Sequence, residues 1–233
     1  SKRWQQVTPS QYSWEADALD ALRSLLPDTD PFRVWTNFEF TDGGRIHEAD
    51  ALVVTPKGMF LIEIKSWSGR VTGDQGTWVQ ERRDGSTMAH RNVAQLNQQK
   101  ARSIASLIKR NWARGQGAAP YPYIESLVWF SKPDLSVGLP TELLGQIAVS
   151  NDNDQAGHVR SLSEAIIEIG EAESSRTGFR RITAAQSDEF AATMARIGFK
   201  ESTRTRTAGS YVLQLPAFAE RGATQDFDAK HKL

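Results

Sequence analysis

Asp50, Glu63 and Lys65 are the residues whose types and spacing carry the clearest chemistry in this 233-residue chain. Between Asp50 and Glu63 lies Thr55-Pro56-Lys57-Gly58, a turn with proline at its second position, flanked by mostly apolar segments that read as strands. In the simplest hairpin register Val54 faces Met59, and Asp50 then faces Glu63. Cross-strand partners point to the same side of a sheet, so the two carboxylates are expected side by side, their Cβ atoms about 5 Å apart. Alternation puts Met59, Leu61, Glu63 and Lys65 on that same face. Like charges this close, in a strand otherwise built from Met, Phe, Leu and Ile, are costly without a partner. A divalent cation would resolve the conflict, because two carboxylates plus waters form the usual Mg²⁺ site that also holds phosphate. Lys65 would then orient a water or steady charge developing on a phosphate. The plainer reading of Glu63 and Lys65 is a surface strand with a salt bridge between alternate residues. It leaves the facing Asp50 and the apolar neighbours unexplained.

The elements that must position these groups follow from pattern. Thr8-Pro9-Ser10-Gln11 reads as a helix start with a capping hydroxyl, and the helix is expected to run to about Leu26, where Pro27 and Asp28 stop it. Its apolar stripe is Ala18, Leu19, Leu22, Leu25 and Leu26, which places Glu15 at the mouth of the buried face, where it would supply a further ligand or hold a metal-bound water. Strands are expected over 32–41, 47–54 and 59–65, with a smaller hairpin over 70–81. A long amphipathic helix is predicted from about Asn92 to Trp112, striped by Val93, Leu96, Ile104, Leu107 and Ile108 and ended by Gly115-Gln116-Gly117. Residues 124–131 and 147–150 read as strands inside a sheet, and 161–169 and 184–197 as helices. Helix, three strands, helix, strand, helix describes a mixed α/β sandwich.

Composition narrows the chemistry. Lys plus Arg and Asp plus Glu each number 28, so no global charge advertises a nucleic-acid or membrane partner. The balance hides polarity: 91–114 carries Arg91, Lys100, Arg102, Lys109, Arg110 and Arg114 and no acid. Residues 134–173 are acidic through Asp134, Glu142, Asp152, Asp154, Glu164, Glu168, Glu171 and Glu173 against Arg160 alone, and 176–206 are basic again. The absence of cysteine removes disulfides, thiolate zinc sites and cysteine nucleophiles, and fits a cytoplasmic setting. No apolar run suits a membrane span or a signal peptide. His47, His90, His158 and His231 share no spacing and read as surface or loop residues rather than zinc ligands. No phosphate-binding glycine loop is present.

The run Glu48-Ala49-Asp50, then Glu63-Ile64-Lys65-Ser66-Trp67-Ser68-Gly69, with Gly73, Trp78 and Gln95, resembles the PD-(D/E)xK nucleases and, more narrowly, the nuclease-related (NERD) domain. The resemblance covers roughly residues 10–131 and departs at Asn92-Val93, where the family tends to have proline. It implies a restriction-endonuclease-like core, a mixed central sheet flanked by helices, here with a C-terminal helical extension. It also implies that Asp50, Glu63 and Glu15 bind Mg²⁺, with Mn²⁺ as substitute, that Lys65 assists the attacking water, and that Gln95 completes the site. The opening Arg3-Trp4, the Leu26-Pro27-Asp28 turn and the tail from Ser210 to His231 are similar to the N-terminal part of phage-defence serine/threonine kinases that carry a NERD domain. On that resemblance 1–200 would be the nuclease-like domain and 201–233 a linker with the truncated start of a kinase lobe, a piece of a longer protein acting with other defence proteins. The chain has no His-Arg-Asp or Asp-Phe-Gly motif, so kinase activity is not expected of it. The expected function is Mg²⁺-dependent cleavage of DNA or RNA, with the backbone guided by Arg91, Lys100, Arg102, Lys109 and Arg110. The alternative is a module that grips nucleic acid or a nucleotide without cutting and regulates an attached kinase.

Overall fold

Continuous apolar stretches such as Ala51 to Thr55 and Met59 to Ile62 are buried on both sides, the condition of a sheet covered on both faces. The computed structural model describes residues 3–10, 12–112, 123–153, 159–168, 181–201, 207–208, 210–221 and 224–231. Gln11, Arg114, Gly115, Gln116, Gly117, Asp154, His158, Glu171, Glu173 and much of the 176–206 basic stretch, named above, lie outside the described residues.

The main sheet contains β1 (Trp4–Gln6), β2 (Arg33–Asp42), β3 (Arg45–Thr55), β4 (Gly58–Lys65), β8 (Ile124–Phe130) and β10 (Ile147–Val149) in the order β1-β2-β3-β4-β8-β10, and β11 (Lys200–Glu201) also pairs with β2. The β2–β3 and β3–β4 pairs are antiparallel, whereas β4–β8 and β8–β10 are parallel, so the sheet is mixed. A second sheet joins β5 (Gly69–Gly73), β6 (Thr77–Glu81), β7 (Thr87–Arg91) and β9 (Leu135–Gly138). Gly69 and Gly73 let β5 lie against β6: both have positive φ, and a Cβ on either would sit 2.1 to 2.2 Å from a β6 carbonyl. The strands β12 (Thr207–Ala208), β13 (Tyr211–Arg221) and β14 (Thr224–His231) form a third, antiparallel sheet.

Helices cover both faces of the main sheet. On one, α2 (Val93–Asn111) and α5 (Ala184–Ile197) pack Ala101, Ile104, Ile108, Phe190 and Met194 onto Leu52, Val54, Met59 and Leu61. On the other, α1 (Ser13–Leu25) and α4 (Leu162–Ile166) pack Ala18, Leu19, Leu22 and Leu162 onto Ala51, Val53, Phe60 and Ile62; the short α3 (Thr141–Leu144) precedes β10. Ile104 is fully buried, so truncation to Ala costs about 2–5 kcal/mol. The mixed sheet between helical layers matches the expected class, and the C-terminal helix α5 is part of the core rather than an appendage.

Two expectations need correction. Helix α1 begins at Ser13, not at Pro9. Thr8, the expected capping residue, is buried and lies five residues before the helix, and the Ser10 hydroxyl accepts from Asn37. In α2 the start is as predicted, with Asn92 accepting from the Gln95 amide, but Leu96 is exposed and Asn97 takes the buried place. The Asn97 side chain donates to the carbonyls of Leu61 and Leu127, at 2.9 and 3.1 Å, and so ties α2 to two parallel strands.

Candidate active site

The hairpin has the register read from its turn: Val54 pairs with Met59, Leu52 with Leu61 and Ala51 with Ile62. The regular ladder ends there, and the Asp50 carboxylate takes over, its Oδ2 accepting from the Ile64 amide at 2.7 Å. On the other side of β3 the pairing steps from Thr36–Ala51 to Phe38–Ala49, skipping Asn37 and Asp50. Asn37 has a left-handed backbone, φ 52°, unusual for a residue with a side chain. Strand β3 thus leaves its ladder on both sides at the one residue that must present an acid. By alternation from Leu61, Glu63 and Lys65 lie on the face covered by α2, whereas alternation in β3 breaks at Asp50, since Leu52 and Ala49 both pack on that face.

Glu63 is the centre of the cluster. Its Oε1 accepts from Lys65 Nζ and its Oε2 from Lys100 Nζ, both at 2.7 Å, with side-chain exposure of 13% for Glu63 and 24% for Lys100. Burial opposes ionisation of Glu63, but the Lys65 and Lys100 ammoniums overcome it and hold the carboxyl below its ordinary range. Asp50 goes the other way: burial and then the Glu63 charge push it up to about 7, against the pull of Lys65, Lys100 and the Ile64 amide. Burial disfavours the Lys65 ammonium, yet Glu63, Asp50 and Glu15 raise its pKa, so it stays charged.

Helix α1 lies on the opposite face of the sheet; Glu15 is held by Asn37, whose Nδ2 donates to Glu15 Oε2 and Ser10 Oγ at 3.2 Å, and its charge bears on Lys65. Gln95 stands exposed in the first turn of α2, and among the described residues its side chain makes no hydrogen bond to Glu15, Asp50, Glu63 or Lys65. The five basic residues expected to guide nucleic acid part company. Lys100 is drawn onto Glu63, and Arg110 is held by Asp42 at 2.6 Å. Arg91, Arg102 and Lys109 remain exposed. An open cleft of about 640 Å³ lies between the β2–β3 tip and α2, lined by Asp42, Gly43, Arg45, His47, Gln99, Arg102 and Ser103. Histidines expected in loops sit in strands: His47 in β3 stacks on Phe40, and His90 in β7 stacks on Trp67 at 4.3 Å between ring centres. Burial, then the nearby Lys65 charge, holds His90 below its usual pKa.

Sequence reasoning did not assign Lys100 to Glu63, nor find Asn37 or Asn97. For Lys100 a signal existed, because it lies three residues after Asn97 and four before Ile104, on the buried side of α2. For Asn37 the signal was weak, asparagine being merely the commonest non-glycine residue in left-handed conformation.

Among the described residues no three His, Asp or Glu side chains are grouped as a metal site. Two carboxylates remain as donors, Asp50 and Glu63. Hard oxygens in a site whose acids repel each other fit a small divalent cation that keeps most of its waters. Among the described residues no helix is long and apolar enough to cross a membrane.

Comparison with known proteins gives a family and a relative. The nuclease-related domain (NERD) family matches residues 10–131. The chain is also 35% identical over 230 residues to the probable kinase PglW of Streptomyces coelicolor, a match that covers 98% of this chain and 14% of that protein. The chain therefore spans about 14% of the length of this curated relative. No solved structure matches it.

Proposed function

The chain belongs to the nuclease-related domain family, and on that premise we propose that it is a Mg²⁺-dependent phosphodiesterase acting on DNA or RNA. The observation that carries the reading is the end of the hairpin, where the Asp50 carboxylate accepts from the Ile64 amide at 2.7 Å within reach of the Glu63 charge, and the Lys65 ammonium lies 2.7 Å from the Glu63 carboxylate. Asp50 and Glu63 would hold the cation, with Glu15 nearby. When bound, Mg²⁺ supplies Lewis-acid polarisation of a phosphate oxygen and a more acidic water. Lys65, kept charged by the acids around it, orients the attacking water and steadies charge on the phosphate. Arg45, Arg102 and His47 in the adjoining cleft attract and align the backbone. The relative's name supports a wider proposal: this is the N-terminal part of a cytoplasmic phage-defence kinase working with other defence proteins. Residues 1–200 then form the nuclease-like domain and 201–233 a linker and the first strands of a kinase lobe, a division supported by the separate sheet formed by β12, β13 and β14.

The test is incubation with supercoiled plasmid and with single-stranded DNA or RNA in Mg²⁺, Mn²⁺ or EDTA, beside a folded Lys65→Ala protein. Metal-dependent cleavage by the parent alone is expected. Equal cleavage by both proteins would remove the assignment. One observation favours a second reading, a sensor that binds without cutting: both Glu63 oxygens are already engaged by ammonium groups. That module would bind nucleic acid in a salt-dependent way, unaffected by Asp50→Asn, and yield no product with any metal.

A further inference from the structure

Lys65 and Lys100 reach the same carboxylate from different elements, Lys65 from β4 and Lys100 from α2, one on each oxygen of Glu63. Both ammoniums are 2.7 Å away, so each oxygen has a strong charge-assisted partner. A divalent cation bound by Asp50 and Glu63 needs one of these oxygens and repels whatever cation already sits there. Lys65 lies two residues along the same strand, and Asp50 and Glu15 add to the pull of Glu63 on its charge. The two are about equally exposed, 27% for Lys65 and 24% for Lys100, and what distinguishes Lys100 is its setting. Its side chain leaves a helix surface beside the cleft lined by Arg45, His47, Gln99, Arg102 and Ser103, and its charge already bears on His47 there. Gln99 precedes it and Arg102 follows on the same helix, so a short rotation carries the ammonium from Glu63 toward the cleft.

We propose that Lys100 is a positioning residue and the resident counter-cation of the metal-free site. It holds the Glu63 oxygen that a divalent cation takes, and a phosphodiester backbone entering the adjoining cleft draws it away. Metal loading and backbone binding are then coupled: each removes part of the cost of the other, and by linkage the coupling is reciprocal. The phosphate that accepts Lys100 gives the ammonium a new partner, so neither charge is stranded in the partly buried site. The inference rests on the nuclease reading, since it needs Asp50 and Glu63 to hold a metal.

Titration calorimetry with Mn²⁺, with Mn²⁺ electron paramagnetic resonance as a second readout, tests it on the parent, Lys100→Met, Lys100→Gln and Asp50→Asn. Each is measured alone and with a short phosphorothioate oligodeoxythymidylate that resists hydrolysis. Thermal melting first establishes that the variants are folded. The expected result is Mn²⁺ binding about tenfold tighter in both Lys100 variants without oligonucleotide. The parent should approach that affinity only when the oligonucleotide is present, and Asp50→Asn should bind little Mn²⁺. If both Lys100 variants bind Mn²⁺ no more tightly than the parent while Asp50→Asn still abolishes binding, the metal site stands and the inference falls. If no protein binds Mn²⁺ in an Asp50-dependent way, the nuclease reading falls with it.

Discussion

The two ends of the β3–β4 hairpin both bury charge, and they do so by different means. At the turn Lys57 is 7% exposed, and its ammonium donates to the carbonyls of Glu164 and Glu168 at 3.1 and 2.7 Å. Its own amide donates to Thr55 Oγ1, which in turn donates to the Ile166 carbonyl at 2.6 Å. The acceptors are main-chain atoms at the end of α4, fixed in place and unable to titrate. At the open end Glu63, Lys65 and Lys100 satisfy one another through side chains, and Asp50 beside them accepts from the Ile64 amide. Main-chain acceptors of this kind fasten an ammonium in place. A charge matched by other mobile charges can exchange partners, and such an arrangement has chemistry open to it.

The contrast can be broken at either end, and the effects should separate cleanly. The largest is expected from Lys65→Ala, which should lower cleavage by about a thousandfold or more in a plasmid-nicking assay while moving the melting temperature little. At the turn, Lys57→Met strands the α4 carbonyls and should cost about 1–3 kcal/mol in urea unfolding, with activity per folded molecule unchanged. A loss of activity there without a loss of stability would erase the distinction.

Asp50 sharpens it further. Its carboxyl titrates near 7 in the folded chain against 3.8 as a free group, so between those values the native state holds the extra proton. Metal-free stability should therefore fall as the pH rises from about 4 to about 7 and level off above. Asp50→Asn removes that loss. In EDTA at pH 8 the variant should melt a few degrees above the parent, and the gap should close as the pH is lowered toward 4. A gap independent of pH would show that burial of the charge is not its source. The smallest effect is expected from Asn37→Gly, which relieves a left-handed residue and drops two hydrogen bonds, for a net change within about 1 kcal/mol by thermal melting.

Local rules made the hairpin legible. The Pro56-Lys57 turn set the register from Thr55–Gly58 to Ala51–Ile62, one pair short of Asp50, whose carboxylate turns to the Ile64 amide. The bounds of α2 and α5 were equally plain, because Asn92 and Thr183 are capping residues and the apolar stripes are long. The start of helix α1 failed for a long-range reason: Thr8 and Ser10 are buried, and the Ser10 hydroxyl accepts from Asn37, 27 residues away. The strands β1, β7, β9 and β11 are short and defined by their neighbours rather than by their own pattern. Lys100 was seen as one cation in a basic run, since nothing near it in sequence announces Glu63, 37 residues earlier. What brings them together is the packing of α2 on the face that carries Leu61.

The Asn97 tie has a consequence in time. Fastened to the carbonyls of Leu61 and Leu127 one turn before Lys100, α2 has no slack to slide past the sheet. Any change of partner by Lys100 is then a rotation about its own side-chain bonds, with no helix or loop to carry along. Rotations of that kind take picoseconds to nanoseconds at accessible positions, whereas enzymes commonly turn over about 1 to 1000 times per second. A latch so light governs which molecules are loaded and leaves the pace of the loaded ones to the chemistry.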